Sequence, residues 1–517
     1  MSINDKEYII ETSRSGNSIV VVKSGSTYVP LNSRLDPVRE GKKVSFDFDP
    51  ERFSLLIVLG CSLGYHLIES KDILSKYRKI IVIDILDGIE KEILKNELTS
   101  FIARGENIVF YSGKDLMFLE KDLMSHIDFN LISGVQVFEH GASVRVFGEY
   151  YSTARGIIKR LIDREARNSS TVKAFGWLFL RNALNNFSNF SRVTPIAALK
   201  NAFTGSKALI VSSAPSIEDY IDHIDRLKDF FYIVAVDSAL PVLSAKGIIP
   251  DVVISIDPQP RLSEHFLGEN LNDTLCVFSI VSNPDLVKRY GGYLSLNSHP
   301  VSQIIDDFNP GLVGSIDSGT GSVAGDALNF CLYAGFESIG MAGFDFSFSG
   351  NNIYARGTAY QRRYSSIFNN RFTTPEGFNA SYIFKSSGAY MSGGKYTRKS
   401  FVGYRDSLES YIEKRQIPGI SFINNRGLPV KGVKYENIDD FAGGKGVADR
   451  EIIRGFLEEG GGDMGSMINL PGIYEIMCNK KAAEEILQAS CGKSPEEKDM
   501  VWLSSLLKNQ FIKEGNL

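Results

Sequence analysis

Small and acidic polar residues follow several apolar segments between residues 207 and 345, and these residue types suit the binding of a nucleotide. N–H groups in the first turn of a helix attract phosphate, and carboxylates accept hydrogen bonds from ribose hydroxyls or base amino groups. The pattern predicts a nucleotide site that begins at residues 212–216. The candidate residues at these segment ends are Ser213, Pro215, Ser216, Asp237, Asp257 and Asp345.

Three of these residues also have a simpler structural interpretation. Ser216 with Asp219 forms a helix-capping pattern, Asp237 suits the N-cap of a helix, and Asp257 precedes a proline as in many turns. Ligands of open parallel sheets bind outside the carboxyl ends of the strands. Several such residues at one sheet edge therefore favour a ligand site.

A glycine-interrupted group of hydroxyl residues at 317–324 opens a segment that reads as a helix to Tyr333. Glycine lets the backbone approach a ligand closely, and the N–H and hydroxyl groups here suit a phosphate or a carboxylate. A P-loop lysine is absent from the sequence, which excludes ATP hydrolysis of the P-loop type. The candidate binding residues in this group are Ser318, Gly319, Thr320, Gly321 and Ser322.

Other chemistries find little support in the sequence. The G-x-S-x-G elbow of serine hydrolases is absent, and the six histidines are scattered. The five cysteines lie far apart, as reduced thiols of a cytosolic protein do, and no zinc-ligand spacing occurs. Asp345 could bind a metal, but residues 343–345 lack an Asp-x-Asp pair. We therefore expect no metal and no cofactor.

Length and composition indicate a folded protein with several domains, because 517 residues exceed the size at which one core stops growing. The net charge of −4 argues against nucleic acid as a partner. The polar N-terminus lacks the features of a secretory signal, and no apolar run is long enough to span a membrane. We expect a cytoplasmic location, and the oligomeric state stays open.

The segment 351–405 differs from the rest of the chain in charge. It carries nine Lys or Arg residues against the single acid Glu376, together with twelve Tyr or Phe residues. Such a segment can grip an anionic ligand with a flat ring or a nucleic-acid strand, act as a lid, or be a solvated loop with its own small core.

The first half of the chain predicts a β-rich cap followed by a βαβ unit. Strands at 53–59 and 79–83 enclose a glycine turn at 60–64 and a helix to Lys76, and the second strand ends at Asp84. The glycine spacing departs from the dinucleotide-binding pattern, which favours a structural Rossmann-like domain over a ligand site.

The remaining elements complete an α/β fold with several domains. Residues 150–203 read as helical, with a turn at 167–170 between two helices, and strands at 207–211, 231–236, 252–256, 275–281 and 338–342 predict a doubly wound parallel sheet. Residues 458–463 resemble a joint before amphipathic helices that suit docking or oligomerisation. The predicted domains are a β-rich cap (1–50), a Rossmann-like domain (51–149), a helical connector (150–203), a central nucleotide-sugar-binding domain (204–433) and a helical C-terminal region (434–517).

Residues 31–40 resemble an N-terminal signature of the motility-associated-factor (Maf) glycosyltransferases. Residues 60–66 with Asp84 resemble their Rossmann-like domain, 177–186 their helical connector, and 208–345 their central domain. The resemblance implies transfer of a nonulosonic acid, of the pseudaminic, legionaminic or sialic acid type, from its CMP-activated form to Ser or Thr of flagellin. The partners it implies are flagellin and a CMP-nonulosonic acid, in a role that supports flagellum assembly and motility.

The central domain is also similar to bacterial sialyltransferases, and this similarity implies individual site residues. Pro215 and Ser216 match their nucleotide loop, Gly343 to Phe346 match a second motif, and Tyr354 matches a tyrosine that contacts phosphate. Donor ionisation requires stabilisation of the departing phosphate and a base for the acceptor hydroxyl. Arg356, Arg362 or Arg363 beside Tyr354 suits the phosphate or the sugar carboxylate, and Asp257 or Asp345 suits the base.

The sequence also departs from the sialyltransferase pattern. Ser213 and Asp257 stand where that pattern carries asparagines, and Asp237 stands at a third such position. Ser347 replaces an expected tyrosine, and no histidine follows His299 to serve as the usual base. Two alternatives therefore remain open: a 6-hydroxymethyl-dihydropterin diphosphokinase-like enzyme that uses ATP, and a non-catalytic flagellin-binding module.

Overall fold

A computed structural model gives the fold of the chain, which divides into two compact units, Met1–Thr171 and Val172–Leu517. No helix within the described part of the chain is both long and apolar enough to cross a membrane. The structure describes residues 8–24, 27–127, 132, 134–368, 374–417, 419–423, 426–443, 447–459, 462–491 and 495–511.

The first unit contains an antiparallel three-stranded sheet in the order β1-β2-β3 and a parallel four-stranded sheet in the order β6-β5-β4-β7. Strand β4 is an uninterrupted apolar run, and all of its residues are buried, as expected of a central parallel strand. The strands are β1 (Tyr8–Thr12), β2 (Ser18–Ser24), β3 (Thr27–Pro30), β4 (Leu55–Leu59), β5 (Lys79–Asp84), β6 (Ile108–Ser112) and β7 (Val135–Glu139).

The helices of the first unit are short, and the predicted helix to Lys76 is a 3₁₀ turn (Tyr65–Ser70) followed by α2. Asp36 caps the first helix by accepting the N–H of Arg39 at 3.0 Å. The helices are α1 (Pro37–Gly41), α2 (Lys71–Leu74), α3 (Ile89–Lys95), α4 (Ser100–Arg104), α5 (Leu119–His126) and α6 (Gly141–Val146).

Helix α7 (Gly148–Asn185) is continuous for 38 residues, and the division between the two units falls within it. The predicted turn at 167–170 is therefore wrong. Asparagine and serine cost a helix only a few tenths of a kcal/mol each, and residues 167–170 contain no glycine or proline. Weak helix formers alone do not break a long helix.

The second unit is built on a nine-stranded, wholly parallel sheet in the order β18-β17-β14-β9-β10-β11-β12-β13-β8. All five strands predicted between 207 and 342 are present, so the α/β fold class with a doubly wound parallel sheet is confirmed. The strands are β8 (Val193–Pro195), β9 (Lys207–Val211), β10 (Tyr232–Val236), β11 (Val252–Ser255), β12 (Leu275–Ser279), β13 (Gly292–Ser295), β14 (Ser338–Ala342), β17 (Ile420–Phe422) and β18 (Lys434–Tyr435), and a separate hairpin is formed by β15 (Tyr390–Ser392) and β16 (Lys395–Thr397).

Helices cover the sheet of the second unit, and its C-terminal helices belong to the same core. Met464, Ile473, Met477, Leu487 and Leu503 are buried in the cluster that contains the central strands. The helices are α8 (Ile221–Leu227), α9 (Leu240–Ser244), α10 (Pro284–Tyr290), α11 (Pro300–Phe308), α12 (Val323–Tyr333), α13 (Ala359–Phe368), α14 (Pro375–Ser381), α15 (Lys399–Arg415), α16 (Ile438–Ala442), α17 (Arg450–Glu459), α18 (Met464–Met467), α19 (Leu470–Cys478), α20 (Lys480–Cys491) and α21 (Glu497–Phe511).

Two sequence predictions on the second unit need qualification. Of the joint predicted at 458–463, residues 458 and 459 end helix α17, and 460 and 461 lie outside the described residues. Ile353 and Ile383 of segment 351–405 form a small core together with Phe348, which precedes the segment. Its predicted role as a ligand grip or lid stays a prediction.

Candidate functional site

The sheet of the second unit reverses its strand order at β9, whose neighbours are β10 on one side and β14 on the other. Loops from neighbouring strands on opposite sides of such a reversal leave a crevice at the carboxyl edge, where ligands of open sheets bind. The loops after β9, β10, β11 and β14 contain the predicted site residues. This edge is the candidate nucleotide site.

The loops after β9 and β14 are joined by backbone hydrogen bonds. The N–H of Ser212 donates to the carbonyl of Ala342 at 2.9 Å, and the N–H of Ala214 donates to that of Gly343 at 3.2 Å. Gly343 has φ +78°, and a Cβ at this position would lie 2.4 Å from the Ser212 carbonyl oxygen. Only glycine fits here without a shift of the backbone.

Asp345 holds the start of the candidate nucleotide loop. Its Oδ2 accepts the N–H of Ser216 at 3.1 Å, and its side chain is buried. The predicted helix cap by Ser216 is wrong, because the 3₁₀ turn Pro215–Asp219 begins without a side-chain cap, and the buried Ser216 Oγ has no partner among the described residues. The binding role of Pro215 and Ser216, and the role of Asp345 as base, stay predictions.

Asp237, directly after β10, is fixed by two hydrogen bonds. Its Oδ1 accepts the N–H of Ser238 at 2.7 Å, and its Oδ2 accepts the hydroxyl of Ser255 at 2.9 Å. It is therefore not the simple helix cap that the sequence also allowed. Burial raises the pKa of Asp237 to about 6, against the opposing effect of those two bonds. The hydroxyl of Ser213 lies 2.8 Å from that of Ser238 and links the two loops.

Asp257 lies two residues beyond β11 and is partly buried. Its Oδ1 accepts the N–H of Gln259 at 2.9 Å, which confirms that it forms a turn. Burial raises the pKa of Asp257, and the nearby charge of Asp237 adds to the effect. Asn182 supports this loop from helix α7, because its Nδ2 donates to the carbonyls of Pro258 at 2.8 Å and Val281 at 3.1 Å.

A pair of tyrosines lies near these acids. The rings of Tyr354 and Tyr360 are stacked, with centroids 4.4 Å apart and an interplanar angle of 19°. The pKa of Tyr360 is raised by burial and then by the electrostatic influence of Tyr354, Asp237 and Asp257. The four side chains therefore share one electrostatic environment, and Tyr360 stays protonated and able to donate a hydrogen bond.

Sequence reasoning missed His265, which lies in the 3₁₀ segment Pro260–Phe266. Its ring is edge-on to Tyr360 at 4.8 Å, and its buried Nδ1 has no partner among the described residues. Burial lowers the pKa of His265 to about 4, so the imidazole is neutral at pH 7. No local motif marks His265 or Tyr360; the only sequence signal for Tyr360 is its place in the basic, aromatic segment.

The hydroxyl group 318–322 leads into α12, as predicted, and Ser322 caps that helix by accepting the N–H of Gly325. The loop is held by two acids: Asp317 accepts the N–H of Gly319 at 2.9 Å, and Asp326 accepts that of Ser318 at 2.7 Å. Ser318 and Thr320 share a hydroxyl contact of 2.8 Å. Binding by Ser318, Gly319, Thr320, Gly321 and Ser322 stays a prediction.

The three arginines beside Tyr354 all have protein partners. Arg356 is exposed and forms two side-chain hydrogen bonds with Glu218, at 2.8 and 2.6 Å. Arg363 pairs with Glu264, and Arg362 donates to the carbonyl of Pro241. An anionic ligand would have to compete with Glu218 for Arg356.

Phe346 shapes the loop after β14 through its backbone. Its φ of +48° is unusual for a residue with a side chain, and its carbonyl accepts the hydroxyl of Thr397 at 2.7 Å. This bond ties the end of the hairpin β15–β16 to the sheet edge.

Side chains of the first unit fill the space around its glycine turn at 60–64. Asp84 is buried, and its Oδ2 accepts the N–H groups of Cys61 at 2.7 Å and Ser62 at 3.1 Å. A Cβ at Gly60 would lie 2.5 Å from that of Ser143. Asp84 thus serves the turn itself, as expected of a structural Rossmann-like domain.

Within the part of the chain that the structure describes, no group of three or more His, Cys, Asp or Glu side chains could hold a metal ion. Metal independence stays a prediction.

Comparison with known proteins identifies the fold. A family model described as 6-hydroxymethylpterin diphosphokinase MptE-like matches residues 181–351. A solved structure of MAf glycosyltransferase from Magnetospirillum magneticum AMB-1 matches 98% of this chain and 87% of its own length, with a TM-score of 0.55 and 15% sequence identity. The predicted resemblance to the Maf fold, with an MptE-like central domain, is confirmed.

Three relatives are uncharacterized proteins of Treponema pallidum (strain Nichols). One is 42% identical over 85 residues, or 16% of this chain and 40% of the relative. The others are 36% identical over 61 residues (12% and 21%) and 26% identical over 228 residues (43% and 39%). The chain thus spans less than half of the length of each relative.

Proposed function

We propose that this chain is a glycosyltransferase that moves a nonulosonic acid from its CMP-activated donor to a Ser or Thr hydroxyl of flagellin, without a metal. The observation that carries the proposal is the position of Asp237 and Asp257 after neighbouring strands, within electrostatic range of Tyr360, on which Tyr354 stacks. Phenols suit a departing phosphate, and carboxylates suit ribose hydroxyls and an acceptor proton. The shared fold with a MAf glycosyltransferase supports the same conclusion.

In this proposal the nucleotide lies along the carboxyl ends of β9, β10 and β11. Ser213 and Asp237 contact the nucleoside, and Asp237 is held for that task by Ser238 and Ser255. The hydroxyl group 318–322 contacts the sugar. Arg356 assists the phosphate or the sugar carboxylate after release from Glu218.

The reaction breaks the bond between the anomeric carbon of the sugar and a phosphate oxygen, and CMP leaves with the bonding electrons. An oxygen of the acceptor hydroxyl then bonds to the anomeric carbon, and its proton passes to a base. Tyr354 and Tyr360 donate hydrogen bonds to the departing phosphate. Because Tyr360 holds its proton tightly, it can stabilise that charge without ionising.

Asp257 is the base in this proposal. Its partial burial and the neighbouring Asp237 raise its pKa, which makes it a better proton acceptor than an exposed carboxylate. Asp345 is less suited, because its carboxylate already holds the N–H of Ser216 in the interior. Segment 351–405 closes over the donor and excludes water. In this proposal the transfer takes place in the cytoplasm, before flagellum assembly, and supports motility.

The test is incubation of the full chain with a CMP-nonulosonic acid and flagellin, with CMP release and the mass of flagellin as readouts. We expect CMP release coupled to a mass increase of one sugar residue. Asp257→Asn should slow both by about 100-fold or more, whereas Asp273→Asn, which changes an exposed acid of the same unit, should not. No mass shift with pseudaminic, legionaminic or sialic acid donors would reject the proposal.

The family model that matches residues 181–351 favours a second candidate, a 6-hydroxymethyl-dihydropterin diphosphokinase-like enzyme. Such an enzyme transfers a diphosphate from ATP and forms AMP. Incubation with Mg-ATP and the pterin distinguishes the two, because only the diphosphokinase produces AMP. Flagellin binding without affinity for CMP or ATP would instead indicate a non-catalytic flagellin-binding module.

A further inference from the structure

A small cavity adjoins the candidate site at the carboxyl ends of β12 and β13. Its volume is about 80 Å³, and Ile256, the residue before Asp257, forms part of its wall. The other lining residues are Ser279, Ser295, Leu296, Asn297, Ile316, Asp317 and Asp326. The cavity therefore lies between the loop of Asp257 and the start of helix α12.

One polar group in this cavity lacks a protein partner. Ser279 is 4% exposed, and its Oγ has no hydrogen bond among the described residues. A buried hydroxyl without a hydrogen-bond partner destabilises the fold, so such a group calls for a ligand or water. Ser295 differs, because its hydroxyl donates to the carbonyl of Leu296 and accepts the N–H of Ile316.

The charge of the lining determines which kind of group fits. Asp317 and Asp326 are acids, and each already accepts loop N–H groups. The acid Asp317 would repel a carboxylate or phosphate here, and the described residues offer no group of three or more His, Cys, Asp or Glu side chains that could hold a metal ion. The Oδ1 of Asn297 accepts the hydroxyl of Ser302. An uncharged group that both donates and accepts hydrogen bonds suits the lining.

We propose that this cavity, with Ser279 as its recognition residue, is the subsite for an uncharged polar side arm of the donor sugar, such as an acylamino group. The inference rests on the proposed function. A cavity of about 80 Å³ has room for a few waters or for one small side arm. It is too small for the nucleotide or the whole sugar.

Calorimetry with three probes tests the subsite: CMP, CMP-N-acetylneuraminic acid, and CMP-3-deoxy-manno-octulosonic acid, which lacks the acetamido arm. The wild-type chain should bind the acetamido donor more tightly than either other probe. Ser279→Leu fills the cavity and should weaken binding of that donor by about tenfold or more, with CMP binding unchanged. Ser244→Leu, at an exposed serine on α9, is the matched control and should change neither.

Ser279→Ala guards against a folding defect in the leucine variant, because it removes the hydroxyl without crowding the cavity. It should weaken binding of the acetamido donor by about threefold to tenfold and leave binding of CMP unchanged. Equal effects on CMP and on the acetamido donor, or no effect on either, would overturn the subsite and indicate a structural, water-filled cavity. Wild-type affinity for CMP without any gain from the sugar would overturn the subsite alone. Affinity for none of the three probes would overturn the proposed function as well.

Discussion

Tyr354 and Tyr360 stack with a centroid separation of 4.4 Å, although one precedes helix α13 and the other lies within it. Gly357 lies between them with φ +93°, a conformation that residues with side chains rarely adopt. The pair is therefore built by a backbone turn that brings two phenols to one place. Two neighbouring donors suit a phosphate better than one.

Loss of either phenolic hydroxyl should slow the reaction. Tyr354→Phe and Tyr360→Phe retain the stacked rings and remove one donor each, so we expect kcat to fall by about 10 to 1,000-fold with little change in thermal stability. Tyr390→Phe, at an exposed tyrosine of hairpin β15–β16, should retain full activity. Unchanged kcat in both variants would remove the tyrosines from the mechanism.

The pH dependence of kcat/KM should report Asp257. A base must be deprotonated, and burial raises the pKa of this carboxyl. Activity should therefore fall as the pH decreases, with a midpoint above the ordinary range for aspartate near pH 4. In Asp257→Asn the residual activity should be at least about 100-fold lower and should lack this acidic limb. An acidic limb that persists in the variant would assign it to another group, for which Asp237, with its pKa raised to about 6, is the first candidate.

The sequence predicted the parallel sheet because its central strands are apolar runs of five residues or so, such as β9 and β10. Strands β8, β13, β17 and β18 were missed. They have two to four residues each, too few to give a periodic signal, and they lie toward the edges of the sheet.

A site residue could be predicted from the sequence only where a local pattern marks it. Asp237 and Asp257 could be found because both closely follow a strand of the sheet. His265 and Tyr360 reach the site from a connecting segment and a helix, so their approach depends on tertiary packing. The hydrogen bond between Asp345 and Ser216 joins residues 129 positions apart, and no local pattern encodes it.

Asp237 should destabilise the folded chain at neutral pH. Its pKa rises from 3.8 to about 6 on folding. The protonated carboxyl therefore contributes fully to the free energy of unfolding below pH 3.8, and this contribution is lost as the pH rises through 6. Asp237→Asn removes this dependence. Relative to wild type, the free energy of unfolding of the variant should increase by roughly 2 to 3 kcal/mol between pH 4 and pH 7.

Denaturant unfolding at several pH values measures this difference, and CMP binding provides the functional readout. We expect the variant to gain stability at neutral pH and to lose affinity for CMP, as is common where a functional site carries strain. Asp225→Asn, at an exposed acid of helix α8, should show neither the pH trend nor the loss. A difference in the free energy of unfolding that does not vary with pH would mean that burial does not shift the pKa of Asp237.

Gly343 provides a test of the close contact between the loops after β9 and β14. Alanine at this position meets two penalties: the positive φ, which costs about 1 to 2 kcal/mol, and a Cβ only 2.4 Å from the Ser212 carbonyl oxygen. Gly268 has nearly the same φ, +81°, and a Cβ added there would have no atom within 4 Å, so Gly268→Ala meets the first penalty alone. We expect Gly343→Ala to lower the free energy of unfolding by about 1 to 3 kcal/mol more than Gly268→Ala, because the strands cannot separate without breaking hydrogen bonds.

CMP affinity should fall only in Gly343→Ala, since the displaced loop carries Ser213 and Ser216. Equal losses of stability in the two variants would mean that the loops move apart freely, and the nucleotide loop would then not be held by Gly343.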